Sequence, residues 1–171
     1  MGLVRIAYSE GGKSATLVEV NSETDFVAKN EDFINFVERI AEITLENDVK
    51  DVETLKEAKY SDENAVGEEL TAKIAKIGEN LNIRRFEKFN QDGVVYTGYI
   101  HTNGMIGVVI GLETAATAEE VAVLGKDIAM QVASMNPKFL DRSFVDPEYI
   151  AHEKEILRHQ VLNEGKPENM V

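Results

Sequence analysis

Apolar and polar positions change period several times along the chain, and each change marks an element. Leu3 to Ser9 alternates weakly, Glu-Gly-Gly-Lys follows, and Ala15 to Val20 continues as a β-branched run, a pattern that predicts a β-hairpin. From Asn30 the period lengthens. Phe33, Phe36, Val37, Ile40 and Thr44 recur at helical spacing, Asn30 is suited to cap the helix, and Glu31 and Asp32 suit its positive N-terminus. Residues 51–60 predict a short helix, and Val66, Leu70, Ile74 and Ile77 mark another that ends near Gly78.

Asn82 to Phe89 predicts a strand with mixed faces, and residues 90–93 a turn. Residues 94–101 and 106–112 then pair as a second hairpin around Thr-Asn-Gly-Met. Ala118 to Ser134 is helical, with Val121, Leu124, Ile128 and Val132 expected to face inward and Asn136-Pro137 to stop it. Asp146 as cap and Pro147 at the first helical position open a last helix, which Gly165 closes before Lys166-Pro167. Hairpin followed by helices, twice over, predicts an α+β fold of two subdomains, each a small antiparallel sheet packed by helices. Their expected extents are residues 1–81 and 82–146, with the last helix, 147–171, standing apart.

Composition narrows the function. The 171 residues are 43% apolar, enough for a buried core. With 31 acidic and 18 basic side chains the formal charge is −13, so the summed field repels phosphate backbones and anionic headgroups. Neither nucleic acid nor a membrane is an expected partner. Cys is absent, which excludes disulfides and thiol chemistry and fits a reducing compartment; the expected location is cytoplasmic. The first residues lack the apolar core of a signal peptide, and no apolar run approaches the roughly 20 residues needed to span a bilayer.

Candidates for chemistry are few. Glu10 to Lys13 resembles the end of a phosphate-binding loop, but Ala7 stands where the first glycine is needed and a β-run follows where a helix is required, so it reads as a hairpin turn. His152, Glu155 and His159 share a helix face yet lack the His-Glu-x-x-His order, and they read as solvated residues; no metal or cofactor is expected. His101 reads as a strand-end histidine. No nucleophile elbow, Cys or isolated carboxylate pair argues for an enzyme.

Thr24 to Val27 remains, because it places two large apolar residues ahead of the helix at Asn30. Val27 suits a hydrophobic staple folded back onto that helix. Neighbours in a turn point in different directions, so one of the two is expected to face outward. An exposed Phe26 flanked by Asp25 and Lys29 would be an interaction anchor, of the kind whose truncation costs about 2 kcal/mol or more at an interface; a plain core residue is the alternative. The residues by themselves support an acidic α+β interaction module.

The run Glu19-Val20-Asn21-Ser22-Glu23-Thr24-Asp25-Phe26-Val27-Ala28-Lys29 resembles the signature of the elongation factor Ts family of bacteria and organelles, which centres on Thr-Asp-Phe-Val. Residues 99–112 are similar to the family's second hairpin, 127–140 to the helix and proline stop that follow, and 153–171 to the approach to its coiled-coil hairpin. The resemblance implies a nucleotide exchange factor rather than an enzyme. Such a factor binds elongation factor Tu in its GDP-bound and nucleotide-free states, displaces Mg²⁺ and loosens the phosphate site, so that GDP leaves and GTP enters. It implies partner-binding roles for Thr24, Asp25, Phe26 and Val27, with Asp25 and Phe26 as the wedge, and secondary contacts at Lys29 and His101. A scaffold or chaperone-like module without exchange activity is the alternative. The resemblance further implies a core fragment lacking an N-terminal ubiquitin-associated-like domain and the C-terminal end. Residues 147–171 would then be the first arm of a truncated coiled-coil hairpin, open to self-association through Ile150, Leu157 and Val161. Where the family often has Arg before Ile-Gly-Val, this chain has Met105.

Overall fold

The computed structural model describes residues 1–166. Strands β1 (Gly2–Tyr8) and β2 (Ala15–Asn21) pair antiparallel, with Leu3 opposite Val20 and Ala7 opposite Thr16. A tight turn at Glu10–Gly12 joins them, so the glycine pair serves the hairpin. Helix α1 (Glu31–Glu46) covers one face of this hairpin and buries Phe33, Phe36, Val37, Ile40, Ala41, Ile43 and Thr44. The expected stripe is the buried one. Two hydroxyls go into that core with partners: Thr16 donates to the Ala41 carbonyl at 2.9 Å and Thr44 to the Ile40 carbonyl at 2.7 Å, which offsets their desolvation. Helices α2 (Val52–Glu57) and α3 (Val66–Ile77) close the same core with Leu55, Val66 and Leu70.

Strand β3 (Asn82–Phe89) joins the first sheet. It falls beyond the expected boundary at residue 81, yet it pairs antiparallel with β2 and completes a three-stranded sheet in the order β1-β2-β3. The reason lies in its inward face, where Ile83 is buried and Phe86 packs against the core under α1. The second sheet is therefore the two-stranded hairpin of β4 (Val94–Ile100) and β5 (Gly107–Glu113). It lies against the outer face of β1 and β2. Gly98 and Gly107 leave room there for Ile6 and Tyr8, and for Val4 and Leu17.

Helix α4 (Ala118–Met135) packs on β4 and β5. Its buried positions are Val121, Gly125 and Ala129. Of the inward set expected from the sequence, Val121 is buried and Val132 half-buried, but Leu124 and Ile128 are 57% and 36% exposed. Small residues rather than large ones face the sheet because the helix comes close enough for Gly125 to meet Thr97.

These elements, Met1–Met135, make one compact unit, and a second begins at Asn136. In the second, Asp146 caps helix α5 (Pro147–Asn163) by accepting from the Glu148 amide at 2.8 Å, with Pro147 in the first turn. Phe139 meets the edge of Tyr149 at 5.0 Å between ring centres. Gly165 follows the helix in a left-handed conformation, and Pro167 lies outside the described residues.

Candidate partner-binding site

The segment between β2 and α1 is held by its neighbours rather than by regular structure. The Ser22 hydroxyl donates to the Thr24 carbonyl at 2.9 Å. Thr24 in turn donates twice to Glu79, its amide to one carboxylate oxygen at 3.0 Å and its hydroxyl to the other at 2.6 Å. Downstream, the Lys29 amide bonds the Phe26 carbonyl and the Asn30 amide bonds that of Val27, making a tight turn that delivers the chain to α1. Asn30 caps α1 by accepting from the Asp32 amide at 2.8 Å. Within this frame Val27 is 7% exposed and belongs to the core, whereas Phe26 is 78% exposed.

His101 follows β4 and opens the turn to β5. Its amide donates to the Ile106 carbonyl and its carbonyl accepts from Gly104, at 2.9 and 2.7 Å. The Gly104 carbonyl accepts from the Val4 amide at 2.7 Å, which docks the turn on β1. Only glycine serves at 104: φ is +70°, and an added Cβ would stand 2.7 Å from a Leu3 methyl. The Tyr99 hydroxyl meets His101 Nδ1 at 3.0 Å, with the two rings edge to face, so the imidazole is oriented.

That docking brings distant residues together. Asp25, Ala28 and Lys29 line an open cleft of about 760 Å³ together with His101 to Met105, Leu3, Arg5 and Ile34. Phe26 is absent from the lining and projects into solvent beside it. Of the six residues singled out in the sequence, Asp25, Lys29 and His101 meet at one cleft, Phe26 stands at its side, and Thr24 and Val27 hold the turn from within. No motif marks Arg5, Glu79 or Tyr99: Arg5 and Glu79 bond Glu38 and Thr24, 33 and 55 positions away, and Tyr99 meets His101 at the end of β4. Among the described residues no group of three or more His, Asp or Glu could hold a metal ion, the His152, Glu155 and His159 set included. No helix among them is long and apolar enough to cross a membrane.

The model of the family described as Elongation factor TS matches residues 23–171. Among curated proteins, the chain is 54% identical over 172 aligned positions to an elongation factor Ts of Clostridium novyi, covering 99% of this chain and 56% of the relative. It is 51% identical to that of Clostridioides difficile and 46% identical to that of Clostridium perfringens, again over 99% of this chain and 56% of each relative. The chain thus spans little more than half the length of these relatives. Agreement at that level, over nearly the whole of the chain, admits one assignment: the chain belongs to the elongation factor Ts family.

Proposed function

We propose that this chain carries the core of a guanine nucleotide exchange factor of translation elongation, acting in the cytoplasm. In this reading it binds elongation factor Tu in the GDP-bound and nucleotide-free states, displaces Mg²⁺ and loosens the phosphate site, so that GDP leaves and GTP can enter. It makes and breaks no covalent bond itself. The observation that carries the reading is Phe26, 78% exposed on a turn whose backbone is held on both sides. An aromatic ring kept in water by a well-ordered turn gains nothing for the fold, and it becomes favourable on entering a partner's apolar pocket.

The energetics suit the task. Burying a Phe contributes about 1.5–3 kcal/mol. If the contact forms only when the partner's metal and phosphate site is distorted, the same free energy appears as about ten- to a hundredfold weaker nucleotide binding. Coupling is mutual, so GDP weakens the hold of the factor to the same extent. Asp25 would add electrostatic disturbance near the metal, and Lys29 and His101 a second contact across the cleft. The exposed Ile150 and Leu157 of α5 support pairing of that helix with another helical segment, a second copy included.

Release of fluorescent GDP from elongation factor Tu, followed by stopped flow with excess unlabelled nucleotide, tests this. The chain should accelerate release in a saturable way, and Phe26→Ala should fold normally yet lose about ten- to a hundredfold of the acceleration. Equal acceleration by the variant would remove the wedge role. Binding to elongation factor Tu that is indifferent to GDP would mark a scaffold instead.

A further inference from the structure

We infer that Glu79 is a positioning residue for the Phe26 turn, a carboxylate that sets the wedge's direction before any partner arrives. Its consequence for exchange rests on the function proposed above; its effect on the turn does not. A side chain as exposed as Phe26 receives no direction from the core, so its aim depends on how the backbone of residues 22–26 is pinned. At its ends the Ser22 amide donates to the Met1 carbonyl and the Phe26 carbonyl accepts from the Lys29 amide, each at 3.1 Å, and the side-chain bonds to that backbone meet at Thr24 between them. Ser22 donates to its carbonyl, and Glu79 accepts from both its amide and its hydroxyl, one oxygen for each.

Glu79 is itself fixed from two sides. Gly78, left-handed with φ of +79°, ends α3 by donating its amide to the Ile74 carbonyl, and the chain re-enters the core at Leu81 before β3. Only Glu79 and Asn80 separate the anchored Gly78 from the buried Leu81, so the carboxylate is presented with little freedom. Bonds donated to a carboxylate are of the stronger kind, and a two-oxygen fork fixes orientation as well as distance. Aspartate would fall a methylene short. Glutamine has one acceptor atom and can keep the Thr24 amide while offering its own N–H to the hydroxyl, which predicts partial rescue. Alanine releases both donors to water. If the turn then points Phe26 productively about a tenth of the time, the apparent affinity for the partner falls about tenfold, while the rate at saturation is preserved.

The test begins with the full 171-residue chain free in solution, with amide hydrogen exchange read residue by residue in wild type, Glu79→Ala and Glu79→Gln. The expected result is about tenfold or greater loss of protection at the Thr24 amide in Glu79→Ala, intermediate protection in Glu79→Gln, and unchanged protection along α1 and the β1–β2 pair. Unchanged Thr24 protection in Glu79→Ala overturns the inference. So does loss of protection throughout the core, which would make Glu79 a residue of general stability. The second readout is GDP release from elongation factor Tu against factor concentration. The half-saturating concentration should rise about tenfold at an unchanged plateau, and a lowered plateau with unchanged half-saturation would place Glu79 in the exchange step instead. Should wild type fail to release GDP at all, the proposed function fails, while the Thr24 amide still decides the positioning role.

Discussion

At the scale of single residues, Phe26 and Val27 are adjacent but differently placed: successive side chains in a helical turn diverge by about 100°. Phe26 has φ of −65° and ψ of −43°, and with Val27 drawn into the core its own ring stays 78% exposed. The sequence supported one outward residue of the two; the choice between them came from packing under α1. Glu19 gives a second case. A register shift between Glu19 and Val20 turns Arg84 and Arg85 onto the same carboxylate, at 2.8 and 2.7 Å. Burial pushes the Glu19 pKa up, but the hydrogen bonds and charges of Arg85 and Arg84 outweigh it and hold the carboxyl below its ordinary value. A pKa lower in the folded than in the unfolded chain contributes stability above the ordinary carboxylate range, and this is lost as pH falls through the lowered value. Glu19→Gln should therefore be less stable than wild type near neutrality, and the gap should close in acid. Urea unfolding of both proteins across that pH range checks this, and a gap that persists unchanged in acid would refute it.

At the scale of elements, helix boundaries follow from caps and periods that are local, whereas the face a helix buries depends on what it meets. For α1 the two agree, since its large apolar residues are the ones a sheet can cover. For α4 they part. Counting large apolar residues selects Leu124 and Ile128, but the helix lies on β4 with Val121, Gly125 and Ala129, because small residues permit the closer approach. A Cβ added at Gly125 would stand 1.9 Å from a Thr97 methyl carbon. Ala is ordinarily better than Gly inside a helix by about 0.5–1 kcal/mol. Here overpacking of about 1–3 kcal/mol should reverse the sign, so Gly125→Ala should destabilise the protein. Thr97→Ala removes the methyl, and in that background Gly125→Ala should cost less or turn favourable. A urea-denaturation double-mutant cycle measures the coupling, and additive effects would disprove the contact.

At the scale of the whole molecule, charge and topology set the terms. A net charge of −13 on 171 residues repels itself in the folded state more than in the expanded one. Raising ionic strength from about 0.01 M to about 0.15 M shortens the screening length from about 30 to about 8 Å. The thermal midpoint should then rise by about 2–4 °C, and calorimetry showing a flat or falling midpoint would contradict this. Within Met1–Met135, the return of the chain to β2 as β3, after three helices, joins elements that composition could not associate. The docking of the β4–β5 turn on β1 through the Val4 and Gly104 backbones then brings His101 to the cleft that Asp25 lines.

The sequence by itself determined the type and limits of the elements, the capped start of α1, the buried stripes of α1 and α3, and the turn that carries Phe26. Each is written in spacing and capping within a few residues, where local backbone preferences dominate. Tertiary structure alone decided which sheet receives β3, which face of α4 is buried, that Asp25 and His101 share a cleft, and that a carboxylate 55 positions away holds Thr24. Those outcomes depend on how closely two backbones approach and on which donors lie within reach of which acceptors, and neither quantity is encoded in any single stretch of the chain.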